Sequence, residues 1–284
     1  MKVGLVLEGG SIRTIFSSGV CDGFLDAGIP MPDFVVGVSA GIAYGVSYVS
    51  KQRGRNLEIL TKYVNDKRYM GPRNLLDPFN RSYFGLRFAY EVIPDRLVPF
   101  DFETFGAFPG GVEAGLTNLE TGQAEFKQVD VEDRHFTLLQ ATCAMPVLFP
   151  VFHIDGKPYL DGGSAAAIPY SRALEVGCDK LIVILTRERA YRRRPEKLQT
   201  VIDARYRKYP RFCDVMRHRH EIYNADRERL FQMEKEGKAF LFAPSTTEGF
   251  SRVERDVTKI RTLWQTGVDQ AMARREELLE YLGS

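Results

Sequence analysis

Val3 to Leu7 is an apolar run that ends against Gly9 and Gly10, the pattern of a short strand buried on both faces of a parallel sheet. The spacing then changes to i, i+3, i+4, i+7 through Ile12, Ile15, Phe16, Gly19, Val20, Gly23 and Phe24, which predicts a helix, with Gly28 where its C-terminal cap falls. Phe34 to Val36 predicts a second strand, and a small-residue helix is expected from about Ala40. Strand, helix, strand and helix in so short a stretch predict an α/β fold with a doubly wound, mostly parallel sheet.

Further along, Pro72, Pro78, Pro94, Pro99 and Pro109 break a stretch rich in Tyr and Phe. It reads either as an irregular, partly buried insertion or as an apolar cap over a lipid-binding cleft. Glu120-Thr121-Gly122 between two strand-like runs predicts a hairpin over about 112–128. Leu160 leads into Asp161-Gly162-Gly163, and Leu181 to Leu185 predicts another buried strand. After Thr186 the chain becomes highly charged and mainly helical, opening with Arg187, Arg189, Arg192, Arg193 and Arg194. These arginines read as a solvated face or as a contact for anionic lipid headgroups. Ala239 to Ala243 is a candidate edge strand, and one long amphipathic helix is expected through Val257, Ile260, Leu263, Trp264, Val268, Leu278 and Leu282. Two units follow: residues 1–186, and a helical C-terminal extension, 187–284, packed on them.

Composition narrows the function classes. The 39 basic and 37 acidic residues leave a formal charge of +2, which does not suit a nucleic-acid binder. Cys21, Cys143, Cys178 and Cys213 form no C-x-x-C pair and are too sparse for a disulfide scaffold. Too few apolar residues precede Glu8 for a signal peptide, and no run is long enough to span a bilayer. A cytoplasmic protein with peripheral contact at a membrane surface is the expectation.

Gly37-Val38-Ser39-Ala40-Gly41 has the G-x-S-x-G spacing. That chemistry needs a sharp strand-to-helix turn with small residues beside the nucleophile, and a helix N-terminus facing developing negative charge. Gly9-Gly10-Ser11-Ile12-Arg13 follows the first strand and offers backbone N–H groups for an oxyanion or anion nest. It fits neither G-x-G-x-x-G nor the P-loop pattern, and a tight turn without chemistry is the plainer alternative. Asp161, followed by two glycines, is a candidate general base for Ser39. His135, His153, His218 and His220 read as structural or surface residues, and no Cys/His cluster has zinc spacing.

These three elements, in this order, resemble the patatin-like phospholipase family, whose members use a Ser–Asp dyad. Gly9, Gly10 and Arg13 match its oxyanion motif, with Ser11 in place of a third glycine; Gly37, Ser39 and Gly41 match its elbow, and Asp161-Gly162 its acid motif. The stretch from Ala141 through Pro146 and Pro150 to Gly163 is similar too, and the resemblance covers about residues 2–186. It implies a three-layer sandwich with a mostly parallel central sheet, and a lipid or other ester as substrate. It also implies an acyl-enzyme on Ser39, with Asp161 as base and Gly9, Gly10, Ser11 and Arg13 around the oxyanion. No metal or organic cofactor is required. Three other readings stay open: a Ser-His-Asp esterase recruiting His153 or a later histidine, an anion- or nucleotide-binding module, and a pseudoenzyme that keeps the fold without the chemistry.

Overall fold

The computed structural model describes residues 1–283. Its strands are β1 (Val3–Leu7), β2 (Phe34–Val38), β3 (Gly111–Asn118), β4 (Ala124–Gln128), β5 (Phe152–Ile154), β6 (Lys157–Asp161), β7 (Lys180–Ile184) and β8 (Ala239–Phe242). The helices are α1 (Ile15–Ala27), α2 (Ala40–Val49), α3 (Arg55–Tyr63), α4 (Phe102–Gly106), α5 (Thr137–Thr142), α6 (Tyr170–Glu175), α7 (Gln199–Arg205), α8 (Pro210–Lys235), α9 (Val257–Ala273) and α10 (Arg275–Gly283). One mixed sheet runs β5-β6-β3-β2-β1-β7-β8, with β4 paired to β3. The pairs from β3 through β2, β1 and β7 to β8 are all parallel. The pairs β3–β4, β3–β6 and β5–β6 are antiparallel.

Alternation along β1 divides the core into layers. Leu5 and Leu7 face a cluster built with α1, α2, α3, α9 and the aromatic insertion, while Val6 faces a second cluster built with α6 and α8. A sheet with helices on both faces buries both sides of its central strands, which is why β1 and β2 read as unbroken apolar runs. Gly28 caps α1 at φ 64, in the left-handed region that glycine enters without steric penalty.

The C-terminal region is joined to the rest at close range. The apolar run after Lys238 forms β8, parallel to β7 at the sheet edge. Helix α9 lies on α1 so closely that a Cβ on Gly19 would come 2.0 Å from Trp264 O, and one on Gly267 would come 2.4 Å from Phe16 O. The Trp264 indole donates to Asp22 Oδ2 at 2.8 Å inside this contact. The expected single helix is two helices, interrupted at Arg274. Its guanidinium turns inward, donating to Leu241 O at 2.7 Å and covering Phe240 at 4.1 Å. Among the described residues no helix is long and apolar enough to cross a membrane.

Candidate active site

The register of β3 accounts for how residues far apart in sequence meet. Val38, the last residue of β2, pairs with Gly115, and Asp161, the last residue of β6, pairs with the next residue, Leu116. Asp161 therefore stands beside the turn that begins at Ser39. The approach needs a glycine after the carboxylate, since a Cβ on Gly162 would lie 2.0 Å from Gly115 O.

Ser39 has φ 54 and ψ −141, a strained backbone of the kind found at functional turns. A Cβ on Gly37 would be 2.9 Å from Ile42 N, and one on Gly41 would be 2.6 Å from Leu7 O, so α2 can leave the turn against β1 only with both glycines in place. The Ser39 N–H donates to Thr142 Oγ1 at 2.9 Å, and the Thr142 hydroxyl donates onward to Gly115 O at 2.5 Å. This fixes the elbow to β3. The Ser39 hydroxyl donates to Asp161 Oδ2 at 2.8 Å, while Asp161 Oδ1 accepts from Gly163 N at 2.8 Å. Ser39 is 8% exposed and Asp161 5%.

Burial raises the Asp161 pKa. Nearby Arg219, the Ser39 hydroxyl and the Gly163 N–H oppose that rise. The outcome is a carboxylate more basic than an exposed one, as a base for a serine hydroxyl requires. The Cys143 thiol, which also touches Ser39, is pushed up to about 12 by burial and is uncharged at neutral pH.

The loop after β1 lies beside the elbow. Gly9 donates its N–H to Ala167 O at 3.4 Å, and a Cβ on it would be 3.0 Å from Ser39 Cβ; its place in the loop is one of close approach. The N–H groups of Gly10, Ser11 and Ala40 have no acceptor among the described residues. Ser11 adopts φ 53, the left-handed backbone a third glycine would enter freely. Two residues further on, burial, together with Arg252 and Arg187, lowers the pKa of Arg13 to about 10.

Ser39 forms part of the wall of two chambers. One is apolar, with Ile59, Tyr90, Phe100, Phe136, Leu139 and Phe149 among its lining residues. The other opens between the loops that follow β1 and β7 and is lined by Arg13, Asp161, Arg187, Arg193, Arg219 and Arg252, among others. It occupies the point where the chain order reverses on either side of β1, the crevice in which α/β sheets bind ligands. No histidine lines either chamber. His135, His153 and His218 are exposed, and the His220 ring contacts Arg217 O of its own helix. Among the described residues no group of three or more His, Cys, Asp or Glu side chains is disposed to hold a metal ion.

Sequence reasoning missed several members of this site. Glu8 is 2% exposed and accepts from Thr186 N at 2.5 Å and from the Tyr223 hydroxyl at 2.6 Å, tying the β1 and β7 loops to α8. Arg219 donates to Gly163 O at 2.7 Å. The arginine cluster is divided, since Arg189 and Arg192 are exposed and paired with Glu234 and Glu228, whereas Arg187 and Arg193 turn to the chamber.

A strand-to-helix serine elbow, a carboxylate on the neighbouring strand end and a glycine loop beside them thus meet at one end of a mostly parallel α/β sheet. The chain belongs to the patatin-like phospholipase family, whose model matches residues 5–174. Residues 209–283 match a second model, described as a domain of unknown function, DUF6363. Among curated proteins, the chain is 26% identical over 201 residues to the uncharacterized protein YjjU of Escherichia coli, covering 65% of this chain and 52% of that protein. It is 27% identical over 200 residues to lysophospholipase NTE1 of Coccidioides immitis, covering 64% of this chain and 11% of that protein. The chain thus spans about half of the first relative and a small part of the second. Among solved structures, VipD from Legionella pneumophila shares the fold, with TM-score 0.53 at 12% identity over 96% of this chain and 67% of that one.

Proposed function

We propose that this protein is a serine acyl hydrolase that cleaves carboxylic ester bonds of lipids, phospholipid or lysophospholipid, through Ser39 and Asp161. The observation that carries the reading is the 2.8 Å hydrogen bond from the Ser39 hydroxyl to the buried Asp161 carboxylate. Asp161 takes the hydroxyl proton as Ser39 Oγ bonds to the ester carbonyl carbon. The N–H groups of Gly10, Ser11 and Ala40, beside the positive field of Arg13, stabilise the oxyanion. Collapse expels the alcohol, which takes the proton from Asp161, and leaves an acyl group on Ser39. Water then gives a proton to Asp161 as it attacks the acyl carbon; the bond to Ser39 Oγ breaks, Ser39 takes that proton back from Asp161, and the acid is released. The apolar chamber suits the acyl chain, and the arginine-lined chamber suits the alcohol side.

The same reading includes contact with a lipid surface. Leu76 is 84% exposed and Phe79 99%, on a segment that also exposes Arg73 and Arg81. Apolar tips with basic neighbours suit an anionic interface. The testing experiment is labelling of the purified protein with a fluorophosphonate probe, followed by mapping of the modified peptide. Modification at Ser39 that disappears in Asp161→Asn is expected. A folded protein that does not label would refute the hydrolase reading.

A further inference from the structure

The chamber on the alcohol side is lined by more cationic than anionic side chains. Its lining includes Arg13, Arg187, Arg193, Arg219 and Arg252 against three carboxylates, Glu8, Asp161 and Glu196. Glu8 is held by Thr186 and Tyr223, Asp161 by Ser39 and Gly163, and Glu196 by the Leu198 N–H. Arg187 pairs with Glu188 at 3.1 Å. Arg13, only 9% exposed, has an Nε with no hydrogen-bond partner. Among the described residues the guanidinium groups of Arg193 and Arg252 have no hydrogen bond to an acceptor and no paired carboxylate, Arg193 lying over the Tyr223 ring at 5.1 Å. They are close enough to repel one another: Arg252 depresses Arg13, Arg193 and Arg219, and Arg193 depresses Arg219, each in addition to the effect of burial. Arg13 is buried, Arg187, Arg193 and Arg219 are half-buried and Arg252 is exposed; like charges gathered in one chamber repel one another unless an anion joins them.

We propose that this chamber is a phosphate site, and that the ester cleaved at Ser39 carries on its leaving alcohol a phosphate without a compensating cation. Guanidinium forks match phosphate oxygens in number and geometry. The chamber offers no free aromatic cage for a quaternary ammonium. The aromatic faces that would cage it are covered, Tyr191 by Arg187 at 3.9 Å and Tyr223 by Arg193 at 5.1 Å. The proposal also gives the segment of unknown function a role. Arg219 and Arg252 lie within residues 209–283, and Arg252 O accepts from Ile12 N at 3.2 Å, so the segment touches the oxyanion loop as well as the chamber.

This inference rests on the acyl-hydrolase reading, and the experiment separates the two. Initial rates are compared for three esters of one acyl chain: 1-acylglycerol 3-phosphate, its phosphocholine counterpart and 1-acylglycerol. The phosphate ester is expected to have the highest kcat/KM, and Arg193→Gln and Arg252→Gln each to lower its ratio to 1-acylglycerol about tenfold. Arg252→Lys, which keeps the charge on an exposed stem, should retain most of the ratio. In parallel, glycerol 3-phosphate is titrated against the wild type and the double glutamine variant by thermal shift, with stabilisation expected only in the wild type. Equal efficiency on the phosphocholine or neutral ester, or a ratio that survives both glutamine substitutions, overturns the proposal while leaving the hydrolase intact. Stabilisation by inorganic phosphate as strong as that by glycerol 3-phosphate would mark a site for free phosphate and overturn the substrate assignment. If none of the esters is cleaved, the hydrolase reading falls, and the titration alone decides whether phosphate binds.

Discussion

Replacing Asp161 by Asn keeps the shape of the side chain and removes its charge. The Asn carbonyl can still accept from Gly163 N, now 2.8 Å from Oδ1, and the amide can donate to the Ser39 hydroxyl, now 2.8 Å from Oδ2. Both hydrogen bonds persist, but the polarity at Ser39 is reversed and no group takes its proton. General base catalysis contributes ~10²–10⁴ in rate, so kcat/KM for a lipid ester should fall by about that factor, or ~2.7–5.5 kcal/mol. Stability should move the other way. Burial raises the Asp161 pKa in the folded protein, so the folded state binds this proton more tightly than the unfolded chain. The stabilising effect of that proton is complete below the unfolded value of ~3.9 and is lost as pH rises through the folded pKa. At neutral pH the ionised carboxylate therefore opposes folding, and Asn relieves it. The assays are ester hydrolysis against pH and thermal melts by circular dichroism at acid and neutral pH. Wild-type activity should fall on the acid side with a midpoint above ~3.9, and the melting advantage of the variant should be larger at pH 7 than at pH 4. A variant within tenfold of wild-type activity refutes the role of Asp161 as base, and one markedly less stable at pH 7 refutes the electrostatic account.

Arg219 is the leading influence opposing the rise in the Asp161 pKa, so Arg219→Gln should move the acid limb of the pH–rate profile upward; an unmoved limb would show that its charge does not reach the carboxylate. Gly19→Ala puts a methyl group 2.0 Å from Trp264 O and should destabilise the protein by about 1–3 kcal/mol, read from denaturant melts, with an unchanged midpoint contradicting the tight α1–α9 contact. Leu76→Ser with Phe79→Ser should weaken binding to anionic vesicles by about tenfold or more, since a fully buried large apolar side chain contributes about 1.5–3 kcal/mol. Unaltered co-sedimentation would remove this tip from the membrane contact.

The parts of the fold visible in the sequence are those governed by short-range pattern. β1, β2 and β7 appear as apolar runs because both faces are covered, and the Gly28 cap and the Ser39 elbow appear because only small residues tolerate those turns. The candidate nucleophile and acid were legible because each lies at the C-terminal end of a strand, Ser39 just after β2 and Asp161 as the last residue of β6. What joins them was not: the one-residue offset between Val38 and Asp161 along β3 is a matter of register between strands distant in sequence. The second helix break was hidden as well, because Arg274 looks like any exposed basic residue until Leu241 O and Phe240 give its guanidinium an inward position. Arg193 and Arg219 were illegible for a related reason. Their neighbours in sequence are charged and solvated, and only tertiary packing brings these two into the wall of the chamber that Asp161 also lines. Within the aromatic insertion, Phe88 and Phe105 are core residues, while Phe84 and Tyr90 line the apolar chamber.

The hydrogen bond from Ile12 N to Arg252 O sets an order of events during synthesis. The elbow and the loop after β1 leave the ribosome well before Arg252, whose carbonyl holds this loop. At ~5–20 residues per second the interval is about 10–50 s. Throughout it, α1 lacks α9 as its cover. A nascent chain beside a membrane thus carries Ser39 long before it carries a finished pocket, and hydrolytic competence, on the reading proposed above, is delayed until the segment around Arg252 has emerged.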